Sequence, residues 1–212
     1  MSTPPPESSA DTFEDRLRGL PLRERKKLRT RRAIQEHALR LFAEQGYEAT
    51  TVEQISAAAE ISPSTFFRYF PTKEDVVIED EYDPVMAAVF RAQPPELSPI
   101  EALRATLRDV FPVVYERERA ALFARTRMMV EVPALRARMF DSMRTGTLAV
   151  INEFVAERTG RDRSDPEVQA FAWAVLGVLQ AAMYAWLDSG GELDLPGLVD
   201  RNLAFLAAGL RL

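Results

Sequence analysis

The sequence has no cysteine and only one histidine, His37, among its 212 residues. Without thiols the chain has neither a disulfide framework nor a thiolate metal site, and one histidine cannot anchor a conventional zinc site. We therefore expect no metal and no other cofactor. The sequence also lacks a glycine-rich phosphate loop and a nucleophile elbow, so an all-helical enzyme is the least favoured class of protein.

Long apolar runs are scarce as well. We find none of membrane-spanning length, and no basic-then-apolar signal sequence at the N-terminus, so we expect a cytoplasmic protein with no membrane partner. No stretch alternates apolar and polar residues as a strand does. Apolar residues still make up 47% of the chain, which is enough to bury a core. The sequence predicts an all-α protein.

Charge is distributed unevenly along the chain. The net charge is −5, yet residues 21–73 carry ten basic and six acidic side chains. Seven of those basic residues fall between residues 23 and 32. A basic block in an acidic protein is typical of phosphate contact with nucleic acid, although a solvated helix start has the same composition.

Two helix starts lie close together in residues 50–74, TTVEQISAAAEISPSTFFRYFPTKE. Thr51 and Gln54 have the spacing of a capping box, and Ser62 followed by Pro63 is a second N-terminal signal. Only about three residues separate the two predicted helices, so these helices must cross steeply. This spacing predicts a helix-turn-helix, with its second helix placed in the major groove of DNA.

The same stretch resembles the DNA-binding domain of the tetracycline-repressor (TetR) family. The matching residues are Thr51, Ile55, Ala59, Ile61, Ser62, Thr65, Phe66, Tyr69, Phe70, Lys73 and Glu74. Glu60 and Ser64 stand where the family usually has glycine, and Phe67 replaces a common tyrosine. A turn residue with positive φ costs a non-glycine residue roughly 1 kcal/mol, so Glu60 is either tolerated or alters the turn.

The basic block, the motif and the resemblance together predict the contacts with double-stranded DNA. The predicted DNA-binding residues are Arg25, Lys26, Lys27, Thr51, Ser62, Pro63, Ser64, Thr65, Phe67, Arg68, Tyr69 and Lys73. For Tyr69, core packing is an almost equal alternative. The predicted domain order is a disordered tail at 1–19, the helix-turn-helix domain at 20–72, and a helical effector-binding and dimerisation domain at 73–212.

Capping and breaking residues divide the second domain into helices. We expect one from Lys73 to about Phe90, kinked at Pro84, and one from Pro99 that is interrupted at Pro112 and followed by a shorter helix. A long helix should then run from Pro133 to Gly160. The final two, at 165–189 and 196–210, are strongly apolar. In the TetR family such helices form a homodimer; the alternative is that they bury each other in a monomer.

The resemblance also implies a small-molecule pocket among the middle helices. Methionine and aromatic side chains suit an adaptable apolar cavity, although they suit an ordinary core equally well. The candidate lining residues are Met86, Phe90, Phe111, Tyr115, Phe123, Met128, Met129, Phe140, Met143 and Phe171.

These features predict a sequence-specific transcriptional regulator. The resemblance favours a homodimeric repressor that is released from an inverted-repeat operator by a small, largely apolar effector. The alternative is a constitutive DNA-binding or scaffolding dimer that has no effector.

Overall fold

The computed structural model describes residues 21–78 and 83–211. Within these ranges all regular elements are α-helices, which confirms the all-α prediction. The predicted tail at 1–19 lies outside them. The helices are α1 (Leu22–Gln45), α2 (Val52–Ala58), α3 (Pro63–Tyr69), α4 (Asp75–Ile78), α5 (Asp83–Arg91), α6 (Pro99–Glu131), α7 (Pro133–Thr145), α8 (Thr147–Thr159), α9 (Pro166–Asp188) and α10 (Leu195–Ala207).

The described residues form two compact units. The first, which we call the head, comprises residues 21–78 and 120–144; the second, the body, comprises 83–119 and 145–211. Helix α6 therefore contributes residues to both units. The predicted domain boundary between residues 72 and 73 stays a prediction.

The core of the head is built around an apolar stripe of α1. Ile34, Ala38 and Phe42 are buried there, and Gly46 ends the helix with a positive φ. The other buried members are Tyr47, Ile55, Phe66, Phe70, Val76, Val77 and Leu135. Leu135 belongs to α7, so the core of the head includes a side chain from the C-terminal half of the chain.

The turn between α2 and α3 keeps the geometry that usually requires glycine. The Ile61 amide donates to the Ser56 carbonyl at 2.9 Å, and the Glu60 amide donates to the Ala57 carbonyl at 3.2 Å. This pair of bonds is the Schellman motif, whose C′ residue is left-handed. Glu60 occupies that position with φ 54°. The turn therefore tolerates the glutamate, at a cost of about 1 kcal/mol relative to glycine.

Two predicted helix boundaries in the C-terminal half are wrong. Helix α6 continues through Pro112, because an internal proline removes one backbone hydrogen bond and does not have to end a long helix. The helix expected from Pro133 to Gly160 is instead α7 and α8, separated at Gly146 (φ −100°, ψ −91°). Glycine is a poor helix former, which favours a break there.

The helix predicted from Lys73 to about Phe90 corresponds to α4 and α5. Pro84 is the second described residue of α5, and the kink predicted there stays a prediction. Residues 79–82 lie outside the described part of the chain. The prediction that α4 and α5 form one continuous helix therefore stays a prediction.

Helix α9 begins directly after Asp165, whose side chain caps the helix by accepting the Glu167 amide at 2.8 Å. By length and composition it is apolar enough to cross a membrane, although we had expected no such run. The core helix of a soluble protein passes the same test, so this is a weak indication of a membrane. Its packing partners in the body are α8 and α10.

Replacing Glu60 with glycine should stabilise the protein. Glycine adopts the left-handed conformation without a Cβ penalty, so we expect the free energy of unfolding to rise by about 1 kcal/mol. Urea denaturation at fixed pH measures the change. Glu60→Ala is the matched control, because it removes the carboxylate and keeps the strain; its stability should stay close to that of the original protein. An equal gain in both variants would assign the cost to the charge instead of the backbone.

Candidate DNA-binding site

Helix α3 is anchored on one face and exposed on the other. The Ser62 hydroxyl caps it by accepting the Thr65 amide at 3.1 Å. Phe66 and Phe70 are fully buried in the head core and fix its orientation. The predicted contact residues that this leaves exposed are Ser62, Pro63, Ser64, Phe67 and Arg68, while Thr65 and Tyr69 are half-buried.

A basic cleft lies where the start of α1 meets the end of α3. Its volume is about 830 Å³, and its lining residues are Leu22, Arg23, Glu24, Lys26, Lys27, Arg68 and Tyr69. Four cationic side chains face one carboxylate, so the cleft attracts phosphate groups. It brings together four predicted DNA-binding residues from two helices. Arg23 and Leu22 also line it, although they were not among the predicted contacts.

Arg31 holds the end of α3 against α1. Its guanidinium lies 4.4 Å from the centre of the Phe70 ring, and Nη1 donates to the Tyr69 carbonyl at 3.2 Å. A cation at a helix C-terminus is favoured because the last carbonyls carry partial negative charge. Arg31 therefore positions the recognition helix, a role that its place in the basic block did not indicate.

Lys73 is hydrogen-bonded to the loop that follows α1. Its ammonium donates to the carbonyls of Tyr47 and Thr50 at 2.9 and 3.1 Å and lies 4.1 Å from the centre of the Tyr47 ring. An ammonium has three N–H donors, so one remains for a phosphate. The Thr51 hydroxyl accepts the Gln54 amide at 3.2 Å and can still donate its own proton. Phosphate contacts by Lys73 and Thr51 stay predictions.

The same loop is joined to the start of α4 by a tyrosine–glutamate hydrogen bond. The Tyr47 hydroxyl donates to Glu74 Oε1 at 2.7 Å. Burial and this bond raise the pKa of Tyr47, which therefore stays protonated. Burial alone would raise the pKa of Glu74, but the hydrogen bonds from Tyr47, its own amide and Thr72 hold that pKa below its usual value.

Helix α4 is clasped by residues from α6 and α7. The Asp75 side chain is only 5% exposed, and Arg138 donates from Nε and Nη2 to its Oδ1 at 3.1 and 3.0 Å. Arg125 Nε donates to the Val77 carbonyl at 3.0 Å. Sequence reasoning did not single out Arg138, because no local spacing signals a pair that is 63 residues apart.

The ten candidate effector residues divide equally between the two units. In the head, Met128 and Met129 pack against the core, and Phe140 is 59% exposed. In the body, Tyr115 lies between two other rings, with centres 6.3 Å from Phe111 and 5.9 Å from Trp186. The remaining candidates are Phe123 and Met143, half-buried in the head, and Met86, Phe90 and Phe171, half-buried or buried in the body.

Two body cavities contain one candidate residue each. Phe111 lines a cavity of about 270 Å³ between α6 and α10, beside the Arg104–Asp200 ion pair. Phe90 lines a cavity of about 580 Å³ beside α8, where its ring stacks on Phe154 with centres 4.8 Å apart. The assignment of the ten residues to one effector pocket stays a prediction.

Comparison with protein families agrees with this architecture. The model described as "Bacterial regulatory proteins, tetR family" matches residues 34–79, and the model described as "MftR C-terminal domain" matches residues 97–211. The chain belongs to the TetR family. The resemblance seen in residues 50–74 is thereby confirmed, and the family is one of transcriptional regulators rather than enzymes.

Curated relatives cover most of the chain. It is 36% identical to the HTH-type transcriptional regulator TcmR of Streptomyces glaucescens over 181 residues, which is 79% of this chain and 78% of that protein. It is 31% identical to MftR of Mycobacterium tuberculosis over 165 residues, covering 77% and 82% of the two chains.

Solved structures share the fold. The TetR-family repressor FadR of Thermus thermophilus, in complex with lauroyl-CoA, has a TM-score of 0.56 at 25% identity, covering 86% of this chain and 95% of that one. FadR of Bacillus subtilis, in complex with stearoyl-CoA, has a TM-score of 0.59 at 19% identity, covering 84% and 98%. The second likeness concerns the fold alone.

Replacing Tyr47 with phenylalanine should destabilise the protein in a pH-dependent way. The lowered pKa of Glu74 contributes stability above its usual value of 4.5, and this contribution is lost as the pH falls through the folded value. At pH 7 we expect Tyr47→Phe to lose roughly 1 kcal/mol, the contribution of an ordinary hydrogen bond, because Glu74 is partly solvated. Urea denaturation should show this deficit shrinking as the pH falls below 4.5, the usual pKa of the Glu74 carboxyl group. Tyr69→Phe, which removes a hydroxyl group from a half-buried tyrosine of the same head, is the control; a deficit independent of pH would exclude Glu74 as its source.

Replacing Lys27 with alanine should weaken binding to all DNA sequences. If Lys27 neutralises one phosphate, the slope of log K against log salt should flatten by about one unit for each bound protomer. Fluorescence anisotropy over a salt series measures the slope. Arg40→Ala is the matched control, because Arg40 is an exposed cation of the same helix that pairs with Glu44 at 3.1 Å. An unchanged slope for Lys27→Ala would remove Lys27 from the site.

Proposed function

We propose that this TetR-family protein is a homodimeric repressor that binds an inverted-repeat operator and is released by a small, largely apolar effector. The observation that best supports DNA binding is the basic cleft beside an exposed recognition helix. The cleft supplies phosphate contacts from α1, and the outer face of α3 supplies contacts with base edges. The protein is acidic overall, so this local positive charge also favours one orientation towards DNA.

The surface of α9 supports dimerisation through residues 165–189 and 196–210. Trp173 and Tyr184 are 43% and 44% exposed, and their spacing of eleven residues places them on one helical face. The exposed positions on and beside the middle of that face are Ala170, Ala174, Gly177 and Ala181, and the exposed carboxylates Glu167 and Asp188 lie at the two ends of the helix, so no charge interrupts the middle of the face. Only 28% of the most apolar stretch of α9 is buried within the chain. A self-complementary apolar face of this kind suits a two-fold interface.

The effector half of the proposal is supported by the body cavities and by one neighbour. FadR of Thermus thermophilus was solved with lauroyl-CoA, a ligand with a long apolar chain. In the present chain each of the two cavities has an aromatic side chain, two arginines and one carboxylate, Asp200 or Glu157, that pairs with one arginine. One positive charge therefore remains in each lining, which suits an apolar molecule with an anionic end. We place the effector in the body, among α5, α6, α8 and α10.

Helix α6 offers a route from the effector to the recognition helix. It is continuous from the body into the head, where Arg125 contacts α4 and Leu135 of the following helix completes the core. A shift of α6 on effector binding would therefore displace α4 and, through the shared core, α3. Release requires that the effector bind the displaced state more tightly than the operator-binding state.

Selection from a random duplex library tests the DNA half of the proposal. Purified protein at fixed salt should enrich an inverted repeat with half-sites about one helical turn apart. The recovered operator then tests the effector half: a panel of apolar carboxylates and acyl thioesters, lauroyl-CoA included, should contain a compound that releases the protein. A pool without an enriched sequence would overturn the repressor, whereas an operator that no compound releases would favour the constitutive dimer.

Replacing Trp173 with glutamate should dissociate the dimer. The substitution places a charge in the centre of the proposed apolar interface, so the dimer dissociation constant should rise by at least about a hundredfold, the cost of burying an unpaired charge. Sedimentation equilibrium measures the change. Phe140→Glu is the matched control, because Phe140 is an exposed aromatic residue that lies outside the proposed interface, on α7. Similar dissociation of both variants, or of neither, would contradict the interface.

A further inference from the structure

Phe67 is the one large apolar side chain on the outer face of α3. The two other phenylalanines of this segment, Phe66 and Phe70, are fully buried, whereas Phe67 is 51% exposed. Its ring meets Phe66 edge to face with centres 5.4 Å apart, so the exposed half of the ring has a fixed support. The head therefore presents a rigid aromatic surface in the middle of the predicted contact face.

The outer face of α3 has two parallel stripes of different chemistry. Residues four apart lie on the same side of a helix, so Pro63 and Phe67 form an apolar stripe, and Ser64 and Arg68 form a polar stripe beside it. A proline side chain and a phenyl ring have neither a hydrogen-bond donor nor an acceptor. The apolar stripe therefore cannot be matched to a phosphate oxygen or to the polar atoms of a base edge.

The major groove offers this stripe one apolar partner. Each base pair presents hydrogen-bonding atoms there, and the thymine C5-methyl group is the exception. We propose that Phe67, flanked by Pro63, contacts the C5-methyl group of a thymine in each half-site and thereby makes thymine the preferred base at that position. This inference rests on the proposed function, since it assumes that α3 enters the major groove of an operator.

Deoxyuridine substitution isolates the proposed contact, because it removes the methyl group and keeps every hydrogen-bonding atom of thymine. Each thymine of the selected operator would be replaced in turn, in both half-sites together, and affinity measured by anisotropy. We expect one position at which the original protein loses about fourfold in affinity per half-site, the factor for removing one buried methyl group. At that position Phe67→Ala should bind thymine and deoxyuridine equally well.

Two further variants separate the contact from a change in fold. Phe67→Leu keeps an apolar side chain and should retain part of the preference for thymine. Ser64→Ala alters the adjacent stripe and should retain all of it. Circular dichroism and the thermal midpoint of Phe67→Ala should match those of the original protein, because an exposed ring contributes little to the core.

The failure of this inference is distinct from the failure of the repressor proposal. If an operator is selected but no deoxyuridine position weakens binding, or one weakens Phe67→Ala equally, the thymine contact is overturned and DNA binding stands. Such a result would assign the ring to a sugar or to solvent. If no sequence is enriched, the repressor proposal fails and the thymine contact falls with it.

Discussion

The head depends on the burial of Leu135, a side chain that arrives from α7, roughly 60 residues after the last of the other core residues. Leu135 is fully buried among the core residues of α1 to α4, and Met128 and Met129 pack against the same core. A cavity in place of a buried leucine typically costs 2–5 kcal/mol, a large share of the stability of a small unit.

The position of α3 therefore depends on how all the helices of the head pack together. Phe66 and Phe70 fix the recognition helix to the same core that receives Leu135, and Arg31 holds its C-terminal end. The Arg138–Asp75 pair and the Arg125–Val77 bond connect α4 to the segment that contains Leu135. Packed cores do not deform continuously, so a displacement of that segment must be shared by α1 and α3, the helices predicted to contact DNA.

Local chemistry was enough to predict the recognition element. The Thr51–Gln54 capping box and the Ser62–Pro63 helix start both follow from interactions within a few residues. Contacts between distant residues had no such signal: the Arg138–Asp75 pair and the stacking of Arg31 on Phe70 depend on how helices meet. The same limit explains the errors at Pro112 and Gly146, where tertiary packing decides whether a helix tolerates a poor helix former. The DNA-contacting residues and the effector pocket remain predictions, because each requires a partner molecule.

The uncovered face of α9 links assembly to solubility. An apolar surface of this length is tolerated in water only when a second surface covers it, and a helix that is apolar enough to enter a bilayer is also prone to nonspecific association. A protomer without its partner would therefore be a poorly soluble species as well as a weak DNA binder. In a cell, the concentration at which the proposed dimer forms would set both the activity of the regulator and the lifetime of its newly made subunits.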